Sequence, residues 1–324
     1  MFEPVSFGKT TSPRFILNFM RNSKQRLFKT TSVGFIANDK LSKDLEATVW
    51  GVTSKGIFII TSSKWLVFLS NDVFRGPLTV SLDNANLSGR HASKGDPVYI
   101  TSHSILLPET DVKIDIKDCE VWRPPLGPTI LLDDHERRQR IYHIAKEANS
   151  KKNGTGFSKF LPHLLGSTDT QPAPRFNINI EWIDILQLQN LIRNREAVPL
   201  ARQLSNILGS GQGLTPSADD FIIGLLLSLN RWKDLLWDTD NLRDLNVQVV
   251  EAAYQRTTSL SANLIECATY GAADERLINA LDWLVTGLAR EPEIVAHLLG
   301  WGNSSGVDAF IGMAVTLNAS SEFM

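Results

Sequence analysis

The sequence has few of the features that mark specialised classes of protein. Its 324 residues contain two cysteines, Cys119 and Cys267, which are too few and too far apart for a disulfide scaffold or a structural zinc site. The longest apolar run, Phe221 to Leu229, is interrupted by a glycine and a serine and is too short to span a bilayer. The N-terminal segment lacks a basic region followed by an apolar core and a cleavage site. We therefore expect a cytoplasmic protein with no membrane partner.

A strong charge of one sign is also absent. Lysine and arginine total 33 against 35 acidic residues, which gives a formal net charge of -2. A surface that binds duplex nucleic acid needs many cations to neutralise phosphates, so we expect no nucleic-acid partner. The histidines show no metal-ligand spacing, and no GxSxG or cysteine nucleophile motif is present. We assign no metal-binding residue and no cofactor, while a divalent metal stays an open alternative.

The character of the chain changes at the proline-rich segment Arg123–Pro128. Before it, short apolar or β-branched runs such as Gly56–Thr61 and Pro77–Leu82 alternate with turn residues, which predicts strands. After it, apolar residues recur with helical spacing, with long helices expected at ~217–236, ~244–270, ~274–288 and from ~304. The fold class is therefore α+β: an N-terminal antiparallel β-barrel or sandwich (1–128) and a mainly α-helical domain (129–324). The Lys-, Gly-, Ser-, Thr- and Pro-rich residues 150–176 predict a mobile loop.

One glycine-rich loop feeds directly into a helix, over Gly209–Asp220. Glycines separated by single residues can take positive φ and point successive backbone N–H groups into one concavity. A helix N-terminus adds unpaired N–H groups and partial positive charge, which together favour a phosphate or carboxylate. Thr215 or Ser217 would cap the helix. The loop thus predicts a site for a small anionic substrate, with these binding residues: Gly211, Gly213, Thr215, Ser217 and Asp219.

The same helix start occurs twice, because Ser217–Gly224 can be laid over Ser305–Gly312 with Ser, Asp, Ile and Gly coinciding. One interpretation is a capping box at each helix, with the glycines allowing close packing. That interpretation does not explain why Asp219 adjoins Asp220. The alternative is a pair of carboxylates in one cleft, with Asp220 and Asp308 as catalytic residues and Asp219 either behind them in a supporting position or as a hydrogen-bond partner. The second helix start adds binding candidates: Asn303, Ser304, Ser305 and Gly306.

A third element places four hydroxyls in five positions, over Thr257–Ser261 directly after Arg256, within the helix expected at ~244–270. Such a run is poor for helix propensity, although a solvated helix face would also account for it. Arg256 could supply a bidentate donor for an anionic substrate and is our third catalytic candidate. The hydroxyls predicted to bind substrate are those of Thr257, Thr258 and Ser261.

At these motifs the sequence resembles the AllH-like family, one member of which is a subunit of the oxamate carbamoyltransferase of anaerobic allantoin breakdown. The resemblance rests on Gly211–Phe221, Thr257–Ala262 and Gly302–Asp308, with a weaker match at Ser32–Asn38. It implies carbamoyl transfer, namely phosphorolysis of oxalurate to oxamate and carbamoyl phosphate or the reverse. It also implies partners, the other subunits of a hetero-oligomeric enzyme. The alternative function is a non-catalytic anion-binding or scaffold subunit.

Overall fold

The computed structural model describes residues 26–83, 92–127, 130–151, 156–167, 179–232, 237, 239–290 and 293–320. These residues form two compact units. The first lies within Met1–Val73 and Leu78–Val121, and the second within Phe74–Pro77 and Trp122–Met324. The predicted boundary between residues 128 and 129 falls outside the described residues. No described helix is long and apolar enough to cross a membrane.

The first unit is a β-barrel of eight strands, and the prediction of a β-rich N-terminal fold is confirmed. Helix α1 (Phe35–Lys43) follows the first strand. The strands of the sheet are β1 (Arg26–Gly34), β2 (Glu46–Thr53), β3 (Gly56–Thr61), β4 (Leu66–Ser70), β5 (Thr79–Leu82), β6 (Pro97–Ile100), β7 (Ser104–Leu107), β8 (Val112–Asp115) and β9 (Glu120–Trp122).

The hydrogen-bonded order of the strands is β5-β4-β3-β2-β6-β7-β8-β1-β9. An antiparallel pairing of β1 with β5 closes β1 to β8 into the barrel, and β9 is added at β1. Two pairs, β1 with β8 and β4 with β5, are parallel. The barrel is therefore mixed rather than wholly antiparallel.

The barrel interior is filled by alternating apolar side chains, as period-two patterning requires. Ile57 and Ile59 of β3 and Val67 and Leu69 of β4 are buried, and their strands pair in antiparallel register. Because each strand is short, burial of one face from every strand is what supplies the core.

The second unit is helical, and this prediction is also confirmed. Its α-helices are α2 (Asp134–Ser150), α3 (Leu161–Leu164), α4 (Trp182–Arg193), α5 (Ala197–Ile207), α6 (Ser217–Arg231), α7 (Thr239–Arg256), α8 (Ser259–Thr269), α9 (Glu275–Thr286), α10 (Ile294–Leu299) and α11 (Ser305–Ala319). Helices α6 and α11 are buried over almost their whole length, so they form the centre of this unit.

Two expectations for this unit are wrong. The single helix expected at ~244–270 is two helices, because Thr258 leaves the helical conformation and its side chain accepts the Ser261 N–H as the N-cap of α8. The run of hydroxyls competes with the helical backbone, as such residues do. The described part of the loop expected at 150–176 contains a 3₁₀ helix, Gly156–Phe160, and then α3, whereas residues 152–155 and 168–176 lie outside the described residues. Buried Phe157 and Phe160 anchor this segment.

Helices α6 and α11 touch backbone to backbone at two glycines. A Cβ at Gly224 would overlap the carbonyl of Ala309, and a Cβ at Gly312 would overlap the carbonyl of Phe221. When the two helix starts are aligned, Gly224 matches Gly312 and Phe221 matches Ala309. The contact is therefore reciprocal, and the sequence repeat corresponds to a local two-fold arrangement.

We predict that Gly224→Ala destabilises the protein. Alanine would favour an open helix by about 1 kcal/mol over glycine, but here its Cβ meets a backbone carbonyl that cannot rotate away, and overpacking costs about 1–3 kcal/mol. Urea denaturation should show a lower unfolding midpoint. The control is Gly51→Ala in β2, where a Cβ meets nothing within 4 Å. A variant at Gly224 as stable as the parent would contradict the close contact.

Candidate functional site

Two carboxylates lie at matching positions in the first turns of α6 and α11. Asp220 and Asp308 are both fully buried. The repeat brings them together because the helices cross only about one turn further along, at the glycine contact. Close packing of the helices thus fixes the position of the pair.

Each carboxylate interacts with a hydroxyl at the start of the other helix. Asp220 Oδ2 accepts from Thr215 Oγ1 at 3.2 Å, and the nearby Ser305 side chain lowers the pKa of Asp220. The side chains of Ser217 and Ser304 lower the pKa of Asp308 in the same way. Neither α6 nor α11 has a side-chain cap hydrogen bond at its N-cap residue. The capping-box interpretation, with Ser217 or Thr215 as the cap, is therefore wrong: the carboxylates bind across the helix pair instead.

Burial shifts the acidity of both groups. It raises the pKa of Asp308 to about 7, against the opposing effects of the Phe157 N–H and the two serine hydroxyls. Burial likewise raises the pKa of Asp220 well above its ordinary value, and the charge of Asp308 raises it further. A carboxyl that is neutral near pH 7 can donate a hydrogen bond, and one with a pKa near 7 can exchange a proton.

Asp219 has a different position from its neighbour. Its Oδ1 accepts the Gly209 N–H at 2.8 Å, and its Oδ2 accepts the Thr257 hydroxyl. Burial raises its pKa, while these donors and Ser261 lower it. The Thr258 hydroxyl also donates to the Leu214 carbonyl at 2.8 Å. Asp219 and the two threonines therefore join both ends of the glycine loop to the break between α7 and α8.

The glycine loop has the predicted backbone conformation, but some N–H groups of the α6 N-terminus already hydrogen-bond carbonyls of the protein. Gly209, Gly211 and Gly213 all have positive φ, and a Cβ at Gly211 would overlap the Ser217 backbone nitrogen. The Ala218 N–H donates to the Ser210 carbonyl and the Asp219 N–H to the Pro216 carbonyl. Because these donors are engaged, the exposed tip of the loop, residues 212–214, is the part left open to solvent.

Other candidate residues lie further from the carboxylates or have local partners. Arg256, at the exposed end of α7, donates from Nη1 to the Ser205 carbonyl at 2.9 Å. Asn303 is exposed in the turn before α11, and Gly306 packs against the Leu298 carbonyl of α10. Ser261 is buried beside Asp219. Their roles in binding stay predictions.

Sequence reasoning missed one member of the site, Phe157, whose backbone N–H donates to Asp308 Oδ1 at 2.6 Å. Its ring stacks on Phe221, with centroids 4.6 Å apart. The sequence signal was the aromatic pair Phe157 and Phe160, which is followed by leucines within the segment expected to be a loop.

The described residues hold no group of three or more His, Cys, Asp or Glu side chains that could bind a metal ion. Two surface grooves, of about 430 and 490 Å³, lie on the helical unit and do not include Asp220 or Asp308. Both carboxylates are fully buried, so the pair is closed to solvent in this structure.

Comparison with known proteins gives one family match. The model of the family described as oxamate carbamoyltransferase subunit AllH matches residues 207–317. That region runs from the glycine loop to the last helix and contains both carboxylates, so the resemblance noted from the sequence is confirmed there. No solved structure matches the chain.

We predict a pH dependence of stability from Asp308. Its pKa is higher in the folded protein than its ordinary value of 3.8, so its contribution is present at low pH and is lost as pH rises through about 7. Each pKa unit corresponds to about 1.4 kcal/mol. The free energy of unfolding, measured by denaturation, should fall between about pH 5 and about pH 8, and it should fall less in Asp308→Asn than in the parent.

Asp244→Asn, which removes an exposed carboxylate from α7, serves as the control. Equal slopes for the parent and Asp308→Asn would show that Asp308 titrates normally.

Proposed function

We propose that this chain is the acid–base subunit of a carbamoyltransferase that acts on oxamate or oxalurate and carbamoyl phosphate. The observation that carries the proposal is the reciprocal pair Asp220 and Asp308, buried on two crossing helices within the region matched by the family model. The family description supports a carbamoyltransferase subunit, and the pair supplies a chemical role for it.

Carbamoyl transfer moves one proton for each bond that it makes. When the oxamate nitrogen attacks the carbamoyl carbon, an N–C bond forms, the bond from that carbon to the phosphate oxygen breaks, and the nitrogen loses a proton. Phosphorolysis of oxalurate reverses each step. A carboxyl group with a pKa of about 7, as Asp308 has, can take or return this proton at neutral pH.

Asp220 suits a complementary role. Because burial favours its neutral form, it can donate a hydrogen bond to a carbonyl oxygen on which negative charge develops. The hydroxyls of Ser305 and Thr215 hold the Asp220 carboxyl in place. The two carboxyls therefore act as base and hydrogen-bond donor, a division of roles that differing environments often produce.

The anionic part of the substrate would bind to the glycine loop. Its exposed tip offers backbone N–H groups. Arg256 lies at the end of α7, and its backbone carbonyl packs against Gly209. The first turn of α6 is less suited to an anion, because two buried carboxyls lie there. Phosphate would thus be held at the loop, with Arg256 as a cationic partner.

The alternative, a non-catalytic anion-binding or scaffold subunit, is favoured by one observation. Both carboxylates are closed to solvent and bridge two helix N-termini, which a purely structural pair would also do. The two functions predict different effects of removing one carboxylate: loss of turnover for the catalytic subunit, and weaker binding or assembly for the scaffold subunit.

The test is turnover by the chain purified together with the other subunits of the proposed enzyme, measured as carbamoyl phosphate formed from oxalurate and phosphate. Asp308→Asn and Asp220→Asn should lower kcat by roughly 10²–10⁴-fold, the usual contribution of general acid–base catalysis. Asp244→Asn, exposed on α7, should retain parental kcat. Parental turnover by correctly assembled Asp308→Asn would favour the scaffold function.

A further inference from the structure

A backbone N–H of the protein itself donates a hydrogen bond to the Asp308 carboxyl. The Phe157 N–H donates to Asp308 Oδ1 at 2.6 Å. The preceding Gly156 lies so close that a Cβ there would overlap both oxygens of Asp308 and the hydroxyl of Ser217. The backbone of residues 156 and 157 therefore lies directly on the carboxylate, and an amide is the group that Asp308 binds in this structure.

The peptide is held there by aromatic packing. The Phe157 ring stacks on Phe221 of α6, with centroids 4.6 Å apart, and meets Phe160 edge-on at 5.6 Å. Both phenylalanines of the segment are buried. Packing of this kind contributes about 0.5–1.5 kcal/mol per aromatic pair beyond burial, an amount that a bound ligand can offset.

Two oxygens of the pair remain without hydrogen bonds. Among the described residues, Asp308 Oδ2 and Asp220 Oδ1 are buried and have no hydrogen-bond partner. A buried polar atom left unpaired costs about 1–3 kcal/mol, so the site is incomplete as it stands. A ligand that offers both donors and an acceptor would complete it.

We infer that Asp308 accepts from the primary amide of the substrate, whose N–H takes the place of the Phe157 N–H, and that the Asp220 carboxyl donates to the carbonyl oxygen of that amide. This inference rests on the proposed function and specifies which end of the substrate enters the buried pair. One N–H of a primary amide would replace that of Phe157 at Asp308 Oδ1, its second N–H would donate to Asp308 Oδ2, and its carbonyl oxygen would accept from Asp220 Oδ1. The carboxylate end then remains outside, toward the glycine loop.

Oxamate and oxalate form a matched pair of probes. They have nearly the same size, and they differ in that oxalate has a second carboxylate where oxamate has the amide. Oxalate offers Asp308 no donor and adds a negative charge beside it, and sites built to pair a substrate N–H discriminate strongly against analogues that lack it. Oxamate should therefore bind the full chain at least about tenfold more tightly than oxalate by calorimetry.

Asp308→Asn should abolish this preference, because its amide can donate to oxalate. Phe157→Leu should tighten oxamate several-fold, since its side chain packs less well on Phe221 and the segment is displaced more easily. Hydrogen exchange supplies an independent readout. Exchange at the Phe157 amide should speed up when oxamate binds, because the ligand displaces that N–H from Asp308.

Equal affinities for oxamate and oxalate, the parental preference in Asp308→Asn, or slower exchange at Phe157 with oxamate bound would each overturn the inference. These outcomes are separable from failure of the proposed function. Turnover that depends on Asp308 without amide discrimination would leave the carbamoyltransferase proposal standing and remove this inference. Amide discrimination without any turnover in the assembled enzyme would instead remove the proposed function.

Discussion

The backbone contact between α6 and α11 is the constraint on which the helical unit and its candidate site depend. Gly224 and Gly312 let each helix approach the carbonyls of the other, and no residue with a side chain would allow the same separation. Because both helices begin shortly before this contact, their first turns are brought together. The carboxylates and serines at the two helix N-termini then meet as matched pairs, so one packing requirement places both carboxylates of the site.

The same packing determines the electrostatics. Removing Asp220 and Asp308 from water disfavours their charged forms, which raises the pKa of both. Hydroxyls and the Phe157 amide oppose this effect at Asp308 and keep its pKa near 7, whereas Asp220 also experiences the charge of its partner. The pKa of both carboxyls is therefore raised, and the groups that oppose the effect of burial are hydroxyls at Asp220 and hydroxyls together with the Phe157 amide at Asp308.

Much of this arrangement could be predicted from the sequence. The change from period-two to helical patterning indicated the two kinds of unit, and the repeat of Ser217–Gly224 at Ser305–Gly312 indicated paired helix starts. Local patterns could not show that the strands close into a barrel through parallel pairs, since strand order depends on distant contacts. Nor could they show that residue 157 reaches Asp308, because a backbone N–H has no sequence signature and its aromatic anchor lies within a polar segment.

Burial on two crossing helices is proposed to make Asp308 an acid–base group that works at neutral pH. This central claim can be tested by observing the titration of the Asp308 carboxyl itself. Carbon-13 NMR of the Asp308 side-chain carboxyl, assigned by comparison with Asp308→Asn, reports its titration directly. We expect a midpoint of about 7. A midpoint near the ordinary value of 3.8 would contradict it, because a carboxylate that is ionised throughout the neutral range has no proton to exchange.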